Sequence, residues 1–512
     1  MKKIILILIT GLTVSTIQSQ NINDALRYAQ EDLNGTARFR AMSGAFGALG
    51  GDFSSLNVNP AGSVVFANNQ VGLTLSNFNK KNNSNYFGKA TSENDNNVDV
   101  NQAGGVFVFN NLNGKSNWKK FALAINYDNA RNLDNTVFSA GTNLNNSIEN
   151  YFLYYANANS NWSGIPLNVL QDFNFEDLNF EDQQALLGYN TFVIDPVNAA
   201  DPNNSVYFSN IPAGGNYYQE NTLVSTGYNG KLTLNASTEY KDKFLFGLNI
   251  NSYFTDYTQT TSFYESNNNP QNANPQRTVN RLRFNNELYT YGTGLSFQLG
   301  TIYKPVKEIR IGLAYESPTW YRLNDETTQS ISTSGYGLQS TPDTTVYGNS
   351  TFNPGVILIY EPYRLQTPGK WTGSFAYVFG KKGLLSLDYA IKDYSKTEFK
   401  PNREFNQTNI QMANVLDVAN EIRIGAEFKI KKISIRGGYR FEESPYKDGK
   451  TVGDLTGYSG GLGYNFGSIK LDLAYSYWER DTQQGFFTQG LSDAATLNTK
   501  NNNISVTMLF EL

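Results

Sequence analysis

Residues 41–67 read AMSGAFGALGGDFSSLNVNPAGSVVFA, and they set the interpretation of the whole chain. The stretch follows a removable N-terminal segment and precedes a long series of amphipathic strands, and it belongs to neither pattern. Its glycines and small residues suit close backbone packing, and Asn59-Pro60-Ala61-Gly62 is typical of a turn. An ordinary surface loop is the alternative. The strands that follow favour a segment packed inside another structure.

The composition excludes several classes of function. The chain has 512 residues, a formal net charge of −4, and neither cysteine nor histidine. So small a charge offers no basic face for nucleic acid. The absence of cysteine excludes thiolate metal ligands, and the absence of histidine removes Ser-His catalysis. We therefore expect a protein that is not an enzyme, with no catalytic residue, metal site or cofactor, and no bound nucleic acid.

The N-terminus carries an export signal. Lys2 and Lys3 precede an apolar run over residues 4–14, which is followed by short polar residues. This pattern predicts a signal peptide over residues 1–19, cleaved near Ser19. The alternative, a signal anchor, is disfavoured because the apolar run is too short to span a bilayer as a helix. No later stretch of about 18 apolar residues occurs, so the mature chain is either secreted or a β-barrel.

From residue 70 onward, apolar and polar residues alternate with a period of two. The segment 244–251 shows the pattern: Phe244, Phe246, Leu248 and Ile250 alternate with Leu245, Gly247, Asn249 and Asn251. Such a strand has one face suited to hydrocarbon and one that tolerates polar groups. A soluble β-sandwich alternates as well, so this signal alone does not identify a membrane barrel.

The lengths of the connections distinguish the two. Short turns at 241–243, 305–306, 380–383, 431–432 and 467 alternate with long polar connections at 130–228, 267–280, 324–353, 396–419 and 482–503. Short turns on one side and long loops on the other are typical of outer-membrane barrels, whose short turns face the periplasm. We therefore expect residues 69–512 to form a transmembrane β-barrel in the outer membrane of a Gram-negative cell.

The predicted fold is all-β: a 14-stranded antiparallel barrel, expected to be a monomer. Because the number is even, both barrel ends lie on the periplasmic side. An open edge in lipid would leave backbone groups unsatisfied, so the last strand is expected to pair with the first. The predicted spans are 70–79, 103–110, 119–129, 228–240, 243–257, 286–304, 307–321, 360–379, 383–395, 419–429, 432–442, 456–466, 468–479 and 502–512.

We make specific predictions for two connections on the outer side of the barrel. The long loop 130–228 has many large apolar residues within 166–187, which disfavours disorder and predicts short helices that form an extracellular cap. We interpret 166–187 as a capture groove for apolar ligands. The acidic segment 93–99 is predicted to be an outward polar loop. The alternative is that it binds a divalent cation or bridges lipopolysaccharide.

A barrel of this size has room inside. Eight strands are already just wide enough for side chains to fill the interior, so the lumen of a 14-stranded barrel contains water or a plug. Residues 20–68 precede the first strand and are predicted to form this plug, called the hatch here. Within it, GAFGALGGDFSSLNVNPAG resembles the hatch signature of the long-chain fatty acid transporter (FadL/TodX) family, and residues 292–318 and 366–395 are similar to hairpins of that family.

The resemblance implies outer-membrane transport of hydrophobic compounds, above all long-chain fatty acids. Passage would use a ligand pocket reached from outside, a lateral opening in the wall and passive diffusion, with outer-membrane lipid around the barrel. It implies a gate in the hatch at Gly50, Gly51, Asp52, Asn59, Pro60, Ala61 and Gly62.

Five cations on the predicted inner face could bind a carboxylate: Arg310, Arg423, Arg436, Arg440 and Lys470. Guanidinium groups bind carboxylates through two hydrogen bonds. The alternative is that these cations pair across strands with nearby acidic residues.

A different function is also open for the same barrel. Some proteins of similar sequence act as docking or shuttle proteins of a secretion machine and bind exported proteins. A general porin is a third hypothesis, and the hatch argues against it.

Overall fold

The computed structural model describes residues 20–111, 116–159, 163–271, 277–339 and 342–512. The predicted signal peptide, residues 1–19, lies outside the described residues. The chain forms a closed antiparallel barrel of fourteen strands, which confirms the predicted fold class. No helix among the described residues is long and apolar enough to cross a bilayer.

Four strands are interrupted along their length: β3, β7, β8 and β9. The bounds are β1 Gln70–Tyr86, β2 Lys89–Asn110, β3 Trp118–Asn132 and Asn135–Asn143, β4 Tyr217–Tyr240, β5 Phe244–Ser266, β6 Thr278–Tyr303, β7 Ile309–Glu316 and Trp320–Tyr336, β8 Tyr347–Phe352, Leu358–Ile359, Tyr363–Gln366 and Lys370–Val378, β9 Gly383–Asp393 and Glu398–Lys400, β10 Val418–Ile430, β11 Ile433–Glu442, β12 Val452–Asn465, β13 Ile469–Gly485, and β14 Ala494–Glu511.

The ring closes between the first and last strands. β1 pairs with β14 from Gln70 opposite Glu511 to Asn85 opposite Thr496. Both chain ends of the barrel therefore lie at the same rim, which also carries the connections β2–β3, β4–β5, β6–β7, β8–β9, β10–β11 and β12–β13. We call this rim the short-turn end and the opposite rim the long-loop end.

The two faces of the strands differ as the alternation predicts. On β5, Phe246 and Ile250 point outward and are 43% and 51% exposed, whereas Asn249 and Asn251 point into the barrel and are fully buried. Apolar side chains in the same outward position on the other strands form a continuous band. This band is the surface that contacts lipid hydrocarbon.

The strands extend further toward the long-loop end than the alternation indicates. β1 continues to Tyr86 rather than 79, and β2 begins at Lys89 rather than 103. The acidic segment 93–99 is therefore part of β2 and pairs with β1, so its prediction as a loop is wrong. Beyond the apolar band both faces of a strand are polar, and the period-two signal disappears although the backbone ladder continues.

The connection between β3 and β4 spans 144–216, shorter than the predicted 130–228. It contains α1 Glu149–Ala156, α2 Leu167–Asp172, α3 Phe180–Asn190, a 3-10 turn at Phe175–Asp177 and two short strands, Ile194–Pro196 and Tyr207–Ser209. Leu167, Phe175 and Leu186 are buried in a shared core. Most of the apolar side chains of 166–187 thus supply the core of the cap itself, and a role of this segment in ligand capture stays a prediction.

A further helix, Asn406–Val415, lies in the β9–β10 connection. It packs beside a 3-10 turn at Tyr394–Lys396, which lies between the two segments of β9.

Candidate functional site

The segment 21–67 lies inside the ring of strands. It contains helices Ile22–Ala29 and Ala37–Ala41 and 3-10 helices Phe53–Asn57 and Pro60–Val65. Each begins at a residue that caps it: Asn21, Thr36, Asp52 and Asn59 each accept a backbone N–H with their side chains. Such capping is what these residue types do best at a helix N-terminus.

The predicted gate residues form the turns of the hatch. Gly50 and Gly51 have φ of +63° and +67°, which favours glycine. Gly51 N donates to Gly62 O at 3.0 Å, and a Cβ atom at Gly50 would lie 2.7 Å from that same oxygen. The two ends of the gate segment therefore pack closely against each other, with backbone against backbone at Gly50 and Gly62 and the Val65 side chain beside them.

Two polar gate residues hold this arrangement. Asp52 accepts the Thr36 hydroxyl at 2.7 Å and 2.9 Å, one contact to each carboxylate oxygen. Asn59 Nδ2 donates to Gly47 O at 2.7 Å and to Thr301 O at 3.0 Å. Asn59 thus ties the hatch both to itself and to β6.

Amide side chains from the wall satisfy the backbone of the hatch. Asn235 Nδ2 donates to Pro60 O at 2.9 Å, and Asn249 Nδ2 donates to Leu56 O at 2.8 Å. The carboxylate of Asp388 accepts the N–H groups of Phe46 and Gly47, at 2.9 Å and 3.0 Å. Buried backbone groups need such partners, so the wall is built to hold an irregular segment.

Inward glycines of the wall allow the hatch to approach closely. A Cβ atom at Gly247 would lie 2.2 Å from Pro60 C, and one at Gly300 would lie 2.1 Å from Asn59 Oδ1. At Gly312 the nearest atom is Gly47 O, at 2.4 Å. No side chain fits at these places while the hatch is seated.

Four of the five predicted carboxylate contacts have acidic partners. Arg423 pairs with Glu421, Arg436 with Glu427 and Asp472, Arg440 with Glu442 and Glu421, and Lys470 with Glu511. These four agree with the pairing alternative rather than with free ligand contacts. The fifth, Arg310, donates from Nη1 to Leu49 O at 2.5 Å and forms no ion pair among the described residues.

The wall is interrupted between β2 and β3. Their ladder ends where Gln102 pairs with Asp128. Beyond this point and within the described residues, β2 pairs with β1 alone and β3 pairs with β4 alone. Side chains bridge the break: Asp95 accepts the Thr136 hydroxyl at 2.8 Å, as one example.

Two of the cavities that border the hatch lie at the wall break and at the gate residues. A narrow one of about 20 Å³ lies against the wall break and is lined there by Asp95 and Asp134. This volume holds about one water molecule. A wider cavity of about 400 Å³ opens at the short-turn end and is lined by Arg310 and by the gate residues Gly50 to Asp52. The hatch separates the two spaces.

Residues 208–508 match the family model described as outer membrane protein transport protein (OMPP1/FadL/TodX). The chain belongs to the FadL/TodX family. Among solved structures, a Pseudomonas aeruginosa FadL homologue is similar over 94% of this chain and 99% of that one, with 13% identity and a TM-score of 0.52. The P. putida toluene transporter TodX gives 13% identity, a TM-score of 0.50 and the same two coverages. No curated protein matches the chain.

Membership in the FadL/TodX family places this barrel in the outer membrane, among transporters of hydrophobic compounds. The family and the fold are those of transport channels rather than of enzymes. At these identities the two solved structures indicate a shared fold alone.

One residue of this FadL/TodX hatch is not among those predicted from the sequence. Arg40 is 1% exposed and lines the narrow cavity. Its Nη atoms donate to the hydroxyls of Ser76 and Ser476, at 3.2 Å and 2.9 Å, and its Nε atom has no partner. Within the described part of the chain its guanidinium forms no ion pair. No sequence signal separates it from the neighbouring Arg38, which pairs with Glu427 at 3.0 Å.

Proposed function

We propose that this barrel carries long-chain fatty acids, or similar amphiphiles with a carboxylate head group, across the outer membrane by passive diffusion. The observation that carries the proposal is Arg40, a buried guanidinium without an anionic partner beside a cavity in the lumen. A guanidinium stays charged at neutral pH even when it is buried.

A buried cation with only neutral partners is unfavourable. A carboxylate would supply the missing charge and could accept two hydrogen bonds from the guanidinium fork. The same cavity is lined by Leu33, Phe78 and Trp478, which suit the methylene chain next to the head group. Asp32, Asp95 and Asp134 also line this cavity, and Asp32 interacts with Arg40 electrostatically, but none of the three forms an ion pair with it within the described residues. A neutral hydrocarbon would leave the guanidinium without a direct anionic contact, so the site favours an amphiphilic acid.

The break between β2 and β3 supplies the proposed lateral route. The cavity of Arg40 reaches this break, and there the wall is held by side chains instead of a backbone ladder. In this proposal the long-loop end faces the exterior and the short-turn end faces the periplasm. Because the cavity is narrow, a ligand must displace side chains and the hatch, and the turns at Gly50–Asp52 and Asn59–Gly62 act as the gate.

Competitive binding to the purified protein in detergent tests the proposal. Palmitate and hexadecanol have the same chain and differ in the carboxylate, and each would displace a fluorescent fatty acid below its critical micelle concentration. A charge-assisted contact predicts that palmitate binds at least about tenfold tighter. Equal affinity would contradict a carboxylate site, and absence of binding by both would contradict a hydrophobic-ligand pocket.

A further inference from the structure

Lysine pairs occupy three of the turns at the short-turn end. They are Lys241 and Lys243, Lys381 and Lys382, and Lys431 and Lys432, and we call these six residues the lysine rim. All six side chains are exposed. None of them forms an ion pair with any residue that the structure describes.

The rim extends over four consecutive turns, which join the eight strands from β4 to β11 out of fourteen. Its three pairs lie on the β4–β5, β8–β9 and β10–β11 turns, and Lys307 adds an exposed cation on the β6–β7 turn. The exposed acidic residues on these turns are Asp242 and Glu308. This end is therefore basic although the whole chain has a formal net charge of −4.

The rim lies directly beyond a belt of aromatic side chains at the edge of the apolar band. Phe244 stacks on Tyr303 with ring centroids 4.8 Å apart, and Trp118 contacts Tyr240 at 4.9 Å. Aromatic belts of this kind mark the membrane–water interface. Lys241 and Lys243 adjoin Tyr240 and Phe244 in sequence, and consecutive Cα atoms are about 3.8 Å apart. The ammonium groups therefore reach the depth of lipid head groups.

We propose that the lysine rim binds the phosphate groups of anionic phospholipids in the leaflet that borders the short turns. Clustered cations at a membrane surface attract anionic lipids. Two features favour lipid over a protein partner: the cations are spread over the turns of eight of the fourteen strands, and each pair adjoins the surface that lipid chains already cover. This inference rests on membership in an outer-membrane family and is independent of the transported compound.

Lipid selectivity can be measured in reconstituted vesicles. The protein is placed in phosphatidylcholine bilayers that contain a trace of spin-labelled phosphatidylglycerol or spin-labelled phosphatidylcholine, and the motionally restricted fraction of each label gives their relative association constants. We expect wild type to prefer phosphatidylglycerol by at least about threefold, and we expect 1 M salt to remove the preference because it screens beyond about 3 Å.

A variant without the rim charges tests whether the lysine rim causes the preference for phosphatidylglycerol. With all six rim lysines replaced by glutamine, the preference should fall to about one, and each single pair replaced should lower it in part. The matched control replaces six exposed cations outside the rim with glutamine: Lys81, Lys89, Arg281, Lys396, Arg403 and Lys450. The control should keep the wild-type preference.

Three results would overturn the proposal: no preference in wild type, an unchanged preference in the six-lysine variant, or an equal loss in the control. If the six-lysine variant fails to fold, the single-pair variants and the salt titration of wild type still decide the question.

Discussion

Replacing Arg40 with methionine should weaken fatty acid binding and raise the stability of the barrel at the same time. Methionine keeps a long unbranched side chain in the cavity and removes the charge. At most residues of a binding site, a substitution does not weaken binding and raise stability at the same time. The double effect follows because Arg40 is buried, donates its hydrogen bonds to neutral hydroxyls and forms no ion pair among the described residues.

The magnitudes come from these contacts. Hydrogen bonds to a charged group contribute about 1.5–3 kcal/mol, so palmitate affinity should fall roughly 10- to 150-fold. Hexadecanol affinity should stay within about twofold. Replacing a buried ion pair with well-packed apolar side chains is often neutral or stabilises a protein by about 1–4 kcal/mol. Arg40 leaves no ion-pair partner behind, and we expect the lower half of this range because Ser76 and Ser476 lose their hydrogen bonds as well.

Competitive binding and chemical unfolding in the same detergent measure both effects. Arg436→Met is the matched control, because Arg436 is also buried but pairs with Glu427 and Asp472, at 2.7 Å and 2.5 Å. It should destabilise by about 3–5 kcal/mol and leave the ratio of palmitate to hexadecanol affinity unchanged. Our reasoning is refuted if Arg40→Met keeps full palmitate affinity, or if it destabilises the barrel as Arg436→Met does.

Three other perturbations test the hatch, the wall break and the cap. Gly300→Val should unseat the hatch, because its Cβ atom would lie 2.1 Å from Asn59 Oδ1, and amide exchange of residues 59–62 should accelerate. Cysteines at Ser84 on β1 and Ser139 on β3, whose hydroxyls are 2.6 Å apart, should form a disulfide that fastens the β1–β2 hairpin to β3 beside the break, in a chain without native cysteine, and it should reduce uptake into vesicles while binding persists. Burial, aided by Glu181, raises the pKa of Asp182 in the cap from 3.8 to about 6. The cap should therefore lose stability as pH rises from about 4 through 6, and Asp182→Asn should remove that dependence in amide exchange of α3.

Each of these three perturbations has a control variant or a result that would contradict the prediction. Gly373→Val places its Cβ atom where nothing lies within 4 Å, so it should leave the exchange of the hatch unchanged. Cysteines at Ser262 and Asn285, which pair directly in the intact β5–β6 ladder, should form a disulfide without affecting uptake. Loss of uptake in both cysteine pairs would argue against a lateral route. Equal pH dependence in Asp182→Asn and wild type would show that another group controls the cap.

The sequence predicts those parts of the fold in which each face of a strand meets one kind of surroundings along its length. Hydrocarbon on one side and a polar lumen on the other impose alternation on a strand such as β5, so the strand and its faces are readable. Beyond the apolar band, toward the long-loop end, both faces of a strand are polar. The acidic segment 93–99 therefore lacks the alternation that predicts a strand. The apolar residues of 166–187 indicate burial correctly, but not whether a ligand or the cap itself provides it.

The candidate site is harder to predict, because it depends on which charges are paired. Arg40 and Arg38 are two residues apart and chemically identical, and only the fold gives Arg38 the carboxylate of Glu427 while leaving Arg40 among hydroxyls. The partners of Arg40 lie at 76 and 476, at opposite ends of the chain. The sequence around Arg40 therefore gives no indication that these residues are its neighbours.

The contacts of the hatch with the wall have a consequence for biogenesis. Its hydrogen bonds reach β4, β5, β6, β9, β10 and β13, so its final shape requires strands from nearly the whole length of the chain. The ring itself closes when residue 70 meets residue 511, a contact of very long sequence separation that forms slowly. The segment that leaves the ribosome early thus acquires its structure late, and insertion into the membrane must enclose it before the seam between β1 and β14 is sealed.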